Sequence, residues 1–386
     1  MHLYRESLSR SKSRKSLHPT RPRGLSYTTS VNASSFPPHR AAERYSRQVL
    51  FAPIGEAGQR LLAASHVALV GCGATGAAAA ALLARAGVGQ LTLIDRDYVE
   101  ESNLQRQVLF DEADARDALP KAEAARRKIA AFNSEIRIHA HIADLVPANI
   151  HTLLAPAAIV LDATDNFETR YLLNDYAVQQ GKPWIYTAAL GAYAATMNIL
   201  PEPSPHRTAC LACIFPAQPG GAVDTCDTAG ILNTAVNLAA SLAVTEALKF
   251  LTAQPQAMRR TLLSHDLWLN EHTEIAASTP RAACSVCGER NFIHLAGSNR
   301  PQITLCGRNS VQIHEHHHPV DLAAMRARLE PHGSVRSNDL LLRFELPPRT
   351  DGSAFVITLF PDGRALIQGT TDVALARTLY ARYIGS

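Results

Sequence analysis

One continuous stretch restricts the fold more than any other part of the chain. It begins at His66 and reads HVALVGCGATGAAAAALLARAGVGQLTLIDRD. Residues 67–70 form a short apolar run typical of a buried strand, residues 77–85 an alanine- and leucine-rich helix, and residues 91–94 a second buried strand. Two strands joined through a helix predict a βαβ unit, and therefore a parallel sheet with a right-handed crossover.

The chain continues in the same alternating pattern. A helix is predicted at residues 121–132, a strand at 136–140, and two more buried strands in AAIVLDAT and KPWIYTAA. We therefore predict the fold class α/β, with a doubly wound, Rossmann-like nucleotide-binding sheet inside a domain of residues 43–299. Residues 300–386 instead show short strands, a hairpin with a Pro-Asp-Gly turn and a closing amphipathic helix, so we expect a small α+β C-terminal domain there.

Composition limits the classes of function. Residues 1–42 are rich in Ser, Arg and Pro without apolar periodicity, which is typical of a disordered basic tail, although a targeting peptide shares this bias. The net charge of +4 arises in this tail, so nothing indicates nucleic acid as the main partner. Seven cysteines without an apolar signal segment favour a reducing, cytoplasmic location. We predict no membrane span, because no uninterrupted apolar run approaches the roughly 18 residues that one needs.

The turn after the first strand has the spacing of a phosphate-binding loop. Gly71, Gly73 and Gly76 stand where a strand ends and a helix begins, so backbone N–H groups and the helix N-terminus can hold phosphate. Asp95 follows the second strand, at the position where an acid binds ribose hydroxyls. These residues predict a nucleotide, but they fit a nicotinamide or flavin dinucleotide as well as ATP.

Charged side chains after the ribose acid favour a triphosphate. The segment DRDYVEESNLQRQ adds Asn103, Arg106 and Gln107, and Lys121 begins the next helix. An arginine and a lysine near one nucleotide suit charge that develops on an α-phosphorus, although ordinary surface charge is the alternative for each. Asp165 follows the strand IVLDAT at the sheet edge where ligands bind, so it either binds Mg²⁺ or caps the following helix.

Five of the cysteines stand in patterns that bear on function. Cys210 with Cys213 and Cys284 with Cys287 form two Cys-x-x-Cys pairs. They predict a structural Zn²⁺ site that staples the second half of the domain, with a redox pair or plain core thiols as alternatives. Cys226, in VDTCDTAGIL, is a separate thiol. Its neighbouring aspartates would raise its pKa unless the N-terminus of the following helix compensates, and the thiol is accordingly either an inert loop residue or a nucleophile.

The order and approximate spacing of several motifs resemble those of one enzyme family, the ubiquitin-activating-enzyme-like adenylyltransferases of the ThiF/MoeB group. The motifs are RYSRQ, GCGATG, LIDRDYVEESNLQRQ, PKAEAA, DATDNFETR, CLAC, TCDTAG and CSVCG. The resemblance covers residues 44–288. It departs from the family in one place, because many members have glycine where this chain has Ala74, and this difference leaves the three loop glycines intact.

The resemblance implies ATP-dependent adenylation of the C-terminal Gly-Gly carboxylate of a small ubiquitin-fold sulfur carrier, with release of pyrophosphate. By this resemblance the phosphate loop, the ribose acid, the phosphate contacts and the magnesium acid fall on the residues named above. Arg47 of RYSRQ resembles an arginine that a second subunit inserts into the site, which implies a homodimer. Cys226 resembles a cysteine that attacks the activated carrier or carries sulfur, and a cysteine desulfurase would then be the sulfur donor.

The C-terminal extension favours one pathway. It resembles that of ThiF-type enzymes of thiamine thiazole biosynthesis, so we expect a ThiS-like carrier, with activation of the molybdopterin-synthase small subunit as the alternative. Two other classes stay open. A non-catalytic subunit of a heterodimeric activating enzyme would lose some of Arg106, Lys121 and Asp165, all of which are present. An NAD-dependent dehydrogenase would bind NAD and not ATP.

Overall fold

A computed structural model describes residues 43–216, 229–297, 303–306, 310–313, 319–348 and 354–385. Within this part of the chain, Arg44–Ser386 belong to one unit. The predicted tail of residues 1–42 lies outside the described residues, and so does Cys226.

The first half of this unit contains the predicted alternation of strands and helices. In chain order its elements are α1 (Ser46–Val49), α2 (Gly55–Ala64), β1 (His66–Val70), α3 (Ala74–Ala86), β2 (Gln90–Ile94), α4 (Glu112–Arg116), α5 (Lys121–Phe132), β3 (Arg137–His141), α6 (Ile150–Leu154), β4 (Ile159–Asp162), α7 (Phe167–Gln180) and β5 (Trp184–Leu190). Strands β1, β2 and β4 are buried almost throughout, as expected for a parallel sheet with both faces covered. Helix α3 ends at Gly87, whose φ of 84° provides a left-handed cap.

The second half completes the sheet with antiparallel strands. It adds β6 (Tyr193–Ile199), α8 (Leu211–Ile214), α9 (Asn233–Leu251), β7 (Thr261–Asp266) and β8 (Glu271–Ala276). The eight strands have the order β3-β2-β1-β4-β5-β6-β7-β8. Neighbours from β3 to β5 pair in parallel, as predicted, and neighbours from β5 to β8 pair antiparallel. The antiparallel half was not predicted, because β8 is exposed at every position and shows no apolar alternation.

Helix α9 lies in the core of this sheet domain. It packs against α3, β5 and β6, with small side chains such as Ala239 and Ala243 fully buried. Among the described residues it is the one helix long and apolar enough to cross a membrane, but half of its apolar window is buried inside the protein. Glu246, also buried, accepts hydrogen bonds from the Asn198 side chain and the Arg259 backbone N–H. This packing is that of a core helix in a folded domain.

The residues after 300 build a second sheet. Its elements are β9 (Ile303–Cys306), β10 (Ser310–Ile313), α10 (Leu322–Leu329), β11 (Ser334–Ser337), β12 (Leu342–Glu345), β13 (Val356–Leu359), β14 (Ala365–Gln368) and α11 (Val373–Tyr383). The strands are antiparallel in the order β11-β12-β13-β14-β10-β9. One face carries apolar residues such as Phe344 and Ile357, which pack against α10 and α11. The predicted hairpin is β13–β14, and the predicted closing helix is α11.

Candidate active site

The predicted phosphate loop joins β1 to α3, and its glycines differ in what surrounds them. A Cβ atom on Gly71 would lie 2.6 Å from the Ala163 carbonyl oxygen, and one on Gly76 would lie 2.0 Å from the Gly71 carbonyl oxygen. Close backbone packing therefore requires both glycines. A Cβ atom on Gly73 would meet only Gln107 Nε2, at 3.9 Å. The loop is open above Gly73, beside the N-terminus of α3, where phosphate can approach.

Asp95 lies at the carboxyl end of β2, next to this loop. Its carboxylate accepts hydrogen bonds from the Cys72 N–H at 2.6 Å and the Asp97 N–H at 2.7 Å. The Asp95 N–H donates to the His141 carbonyl oxygen at 3.1 Å and so links β2 to β3. Burial raises the pKa of Asp95. These bonds fix the predicted ribose acid against the phosphate loop.

Lys121, the first residue of α5, reaches the same region and is only 8% exposed. Its Nζ donates to Asp97 Oδ2 at 3.2 Å, and its backbone N–H donates to the Asp97 carbonyl oxygen at 2.8 Å. Desolvation opposes charge on both side chains, but the charges of Lys121, Arg96 and Arg364 and the Lys121 hydrogen bond together outweigh it and lower the pKa of Asp97 to about 2. Against the same desolvation, the charges of Asp97, Asp95 and Asp165 raise the pKa of Lys121. Lys121 is therefore held as a cation.

The turn before α4 holds two buried amides, of which Gln107 lies beside the phosphate loop. Asn103 Oδ1 accepts a hydrogen bond from the Glu100 N–H at 3.1 Å, and both Asn103 and Gln107 are buried. Within the described residues, Gln107 Oε1 is a buried acceptor without a hydrogen-bond partner. Buried polar atoms are normally paired, so this acceptor beside Gly73 indicates that a ligand or water completes its bonding.

Two aspartates, one at the end of β4 and one in the loop that follows, lie in different environments. Asp162 is buried, and its carboxylate accepts hydrogen bonds from Arg170 Nε at 3.0 Å and from the Thr164 N–H and hydroxyl at 2.9 and 2.7 Å. Asp165 is exposed. Helix α7 has Asn166 as its N-cap, with the Asn166 side chain accepting a backbone N–H of the first turn. The capping alternative for Asp165 is therefore wrong, and its carboxylate is accessible to a cation.

The two Cys-x-x-Cys pairs come together, with the Sγ atoms of all four residues within 4.8 Å of one another. Cys210 Sγ lies 3.6 Å from Cys284 Sγ, and Cys213 Sγ lies 3.4 Å from Cys287 Sγ. A tetrahedral Zn²⁺ with Zn–S bonds of about 2.3 Å separates its sulfur atoms by about 3.8 Å, so the cluster fits this ion. Hydrogen bonding among the thiols lowers the pKa of Cys213 and raises the pKa of Cys210, so the sulfur atoms belong to one shared network.

Helix α7 connects the nucleotide edge of the sheet with this cluster. Its N-terminus follows Asp165. Two side chains in its middle accept backbone N–H groups, one from within the first cysteine pair and one from the segment after the second pair. Asn174 Oδ1 accepts the Leu211 N–H at 2.9 Å, and Asp175 Oδ2 accepts the His294 N–H at 2.9 Å. The two regions therefore share one rigid element.

Comparison with known proteins identifies the family. Residues 45–286 match the ThiF family. The chain belongs to this family. It is 44% identical over 347 residues to the sulfur carrier protein ThiS adenylyltransferase of Bacillus subtilis strain 168, a match that covers 89% of this chain and 99% of the relative. The family match ends at residue 286. An alignment that covers 89% of this chain must run past that residue, so it includes part of the C-terminal region.

More distant relatives cover mainly the ThiF region. The SAMP-activating enzyme E1 of Haloferax volcanii is 35% identical over 248 residues, which are 64% of this chain and 89% of the relative. The probable adenylyltransferase/sulfurtransferase MoeZ of Mycobacterium tuberculosis is 36% identical over 225 residues, covering 58% and 57%. The crystal structure of E. coli MccB with MccA-N7isoASN has a TM-score of 0.56 and 24% identity, covering 64% of this chain and 74% of MccB, and shows the shared fold.

In this ThiF-family chain Cys226 lies within residues 217–228, which are outside the described part. The flanking residues are anchored to the sheet domain. Tyr171 O–H donates to the Phe215 carbonyl oxygen at 2.7 Å, and the Gly191 N–H donates to the Gly230 carbonyl oxygen at 3.0 Å. The role of Cys226 stays a prediction.

Two predicted arginines of the ThiF-family chain lie nearer the surface. Arg106 is partly exposed, and its Nη1 donates to the Ser102 carbonyl oxygen at 2.7 Å. Arg47 is exposed on α1. Both guanidinium groups are accessible from solvent. Their predicted contacts, with the nucleotide in one case and with a second protomer's site in the other, stay predictions.

Proposed function

We propose that this chain adenylates the C-terminal Gly-Gly carboxylate of a ubiquitin-like sulfur carrier, using ATP and releasing pyrophosphate. The proposal rests on the convergence of Asp95, the Lys121 cation and the Gln107 amide near the opening above Gly73. The 44% identity to a ThiS adenylyltransferase supports a ThiS-like carrier, and with it a role in thiamine thiazole biosynthesis.

ATP is the first substrate in this proposal. Its phosphates lie over Gly73 at the N-terminus of α3, and its ribose lies against Asp95. The phosphate contacts are the polar side chains of the same region, namely Asn103, Arg106, Gln107 and Lys121. Asp165 would hold Mg²⁺, which when bound neutralises charge on the phosphates.

The carrier carboxylate is the nucleophile. One of its oxygens attacks the α-phosphorus of ATP, the bond from that phosphorus to the bridging oxygen of the β-phosphate breaks, and pyrophosphate leaves with the electron pair. The carboxylate is already ionised at neutral pH, so the reaction needs no general base. The chain supplies positioning and electrostatic stabilisation, for which backbone N–H groups and a buried ammonium are suited.

Further assignments belong to the same proposal. A structural Zn²⁺ is bound by the four thiols of the cluster, Cys210, Cys213, Cys284 and Cys287. In a homodimer, Arg47 of one protomer reaches the nucleotide of the other. Cys226 accepts or relays sulfur that a cysteine desulfurase provides. A cytoplasmic location would keep these thiols reduced.

Exposed apolar surface supports a protein as the second substrate. Trp268 is 76% exposed and Leu269 is 59% exposed, in the turn between β7 and β8. A cavity of about 440 Å³ lies beside this turn, with Leu232 in its lining. The adjacent Asn233 side chain donates to the Gln105 carbonyl oxygen at 3.3 Å, so the cavity borders the segment of the predicted phosphate contacts. We assign carrier docking to this surface.

Exchange of labelled pyrophosphate into ATP tests the function. We expect exchange with a ThiS-like carrier that ends in Gly-Gly, and none with the same carrier lacking its last glycine. Faster exchange with the molybdopterin-synthase small subunit would favour that alternative. ATP binding without exchange would favour a non-catalytic subunit, and a thermal shift with NAD instead of ATP would favour a dehydrogenase.

A further inference from the structure

The second sheet buries a polar face against the loop that follows β2. Ile357 and Leu359 point to the apolar face, so the fully buried Thr358 between them points to the opposite one, which also carries Gln368. Tyr98 of the loop and Phe360 of the hairpin turn belong to one small buried cluster. Burying a polar group is unfavourable unless it is paired. Among the described residues Thr358 Oγ1 has no hydrogen-bond partner, whereas the Gln368 side chain on the same face is paired with the loop.

Gln368, the last residue of β14, binds two residues of that loop. Tyr98 O–H donates to Gln368 Oε1 at 3.0 Å, and Gln368 Nε2 donates to Glu100 Oε1 at 3.1 Å. The Tyr98 hydroxyl also lies 3.4 Å from Glu100 Oε1. The three side chains form a closed polar triangle between the two sheets.

Glu100 connects this polar triangle with the turn that contains Asn103. It is the N-cap of the turn that contains Asn103, because its side chain accepts the Asn103 N–H and its own N–H donates to Asn103 Oδ1. The Asn103 carbonyl oxygen accepts the Gln107 N–H at 2.9 Å. A chain of hydrogen bonds therefore runs from Gln368 to the backbone of Gln107, the residue whose side-chain Nε2 would lie 3.9 Å from a Cβ atom on Gly73.

Arg364, in the turn between β13 and β14, makes a second contact. It is 1% exposed, and its Nη1 and Nη2 donate to the carbonyl oxygens of Arg96 at 3.2 Å and Ile142 at 3.3 Å. These carbonyl groups follow the ends of β2 and β3, directly after the hydrogen bond between Asp95 and His141. Arg364 thus ties together the two strand ends that position Asp95.

We propose that the C-terminal sheet is a positioning element of the nucleotide site, in which Gln368 and Arg364 hold the segment from Asp95 to Gln107 in its ATP-binding geometry. The inference rests on the proposed function, because it concerns ATP bound at that site. Gln368 and Arg364 act through residues of the segment. A segment held in advance loses less conformational freedom when ATP binds, so losing these contacts weakens ATP binding and leaves the chemical step unchanged.

Gln368→Leu in the full-length protein tests this role, because leucine has a similar size and makes neither hydrogen bond. We expect the KM for ATP in pyrophosphate exchange to rise about 3- to 10-fold, the effect of one or two hydrogen bonds. The kcat at saturating ATP and the KM for the carrier should not change. Tyr98→Phe should raise the KM for ATP similarly, and the double variant should show an effect smaller than the sum of the two single changes, because the bond between Tyr98 and Gln368 is lost in both.

Ile357→Val is the matched control. It weakens the apolar face of the same sheet, so it should lower the Tm and leave the KM for ATP unchanged. The positioning role is overturned if Gln368→Leu leaves the KM for ATP unchanged, or if Ile357→Val raises it equally. Should Gln368→Leu fail to fold, Tyr98→Phe decides by the same criterion from the loop side. Absence of ATP binding by the unaltered protein would contradict the proposed function and this role together.

Discussion

The nucleotide site and the cysteine cluster stand on the same sheet domain but are assembled differently. The nucleotide site draws most of its side chains from one stretch, residues 71–121, and backbone hydrogen bonds already hold Asp95 and Lys121 in place. The cluster joins residues 74 positions apart, such as Cys210 and Cys284, and the spacing of its sulfur atoms fits a metal ion. Changes in the first region should therefore alter activity with the fold intact. Changes in the second should alter stability.

Loss of one cluster thiol should have the largest effect. Cys284 is fully buried, and Cys284→Ser removes a quarter of the ligand set, while structural zinc contributes its binding free energy to folding. We expect loss of bound zinc and a Tm lower by about 10 °C or more, measured by metal analysis and thermal unfolding. Cys72→Ser, at an equally buried thiol outside the cluster, should retain zinc. Full zinc content in Cys284→Ser would remove the structural role of the cluster.

Loss of the Lys121 charge should separate activity from stability. Lys121→Met keeps most of the side-chain length and should lower pyrophosphate exchange by about 10²- to 10³-fold, as removal of one group that stabilises transition-state charge does. Zinc content should not change. Lys128→Met changes another lysine of α5 and removes its ion pairs with Asp114 and Asp111, so it should leave exchange intact. Loss of zinc in the Lys121 variant would break the comparison between the two regions.

Much of the nucleotide side of this comparison could be predicted, because its signals are local. The loop glycines, Asp95 and Lys121 stand at ends of consecutive elements whose periodicity is readable, and these ends meet at one sheet edge. Asp97 was not among the predicted residues, although the spacing in DRD offered a signal. Its ion pair with Lys121 depends on how α5 packs, and periodicity does not specify that packing.

Individual hydrogen bonds and ion pairs whose existence depends on tertiary packing could not be predicted from the sequence. Arg170 binds Asp162 inside the domain, and nothing in DATDNFETR distinguishes this buried aspartate from exposed Asp165. The bond between Gln368 and Glu100 spans 268 residues. Such pairs are chosen by tertiary packing, which overrides local pattern. The four-thiol site is the exception, because the chemical type and spacing of its cysteines identify them without knowledge of the packing.

Substitutions at Gly73 and Gly76 should affect two different properties of the nucleotide site. We expect a change in ATP binding at Gly73 and a change in packing at Gly76. Gly73→Ala places its methyl group in open space, so we expect an unchanged Tm and a KM for ATP about tenfold higher, equivalent to about 1.4 kcal/mol of binding. Gly76→Ala places a Cβ atom 2.0 Å from the Gly71 carbonyl oxygen and should lower the Tm instead. If Gly73→Ala binds ATP normally, phosphate does not approach at this point.

No effect on the nucleotide site is expected from Asp175 on α7, the helix that contacts both regions. Its carboxylate accepts the N–H groups of His294 and Leu295, and burial raises its pKa from 3.8 to about 6. The folded state therefore binds this proton more tightly than the unfolded state does. The contribution to stability is complete at pH values below the unfolded pKa and is lost as the pH rises through the folded one. At neutral pH the ionised carboxylate destabilises the fold by roughly 1–3 kcal/mol.

Asp175→Asn keeps an acceptor for both N–H groups and removes the titration. The urea midpoint of the zinc-loaded variant should exceed that of the unaltered protein at pH 7.5, and by less at pH 5, because Asp175 is largely protonated in the folded state at pH 5. Protonation of the cysteines affects both proteins alike and cancels in the comparison. Asn at the exposed Asp339 should not alter the pH dependence. The KM for ATP should be the same in all three proteins at either pH, since the titration occurs on the cysteine side of α7. A KM for ATP that followed the Asp175 titration would show that α7 transmits a charge change from one region to the other, and the two could then no longer be treated as independent.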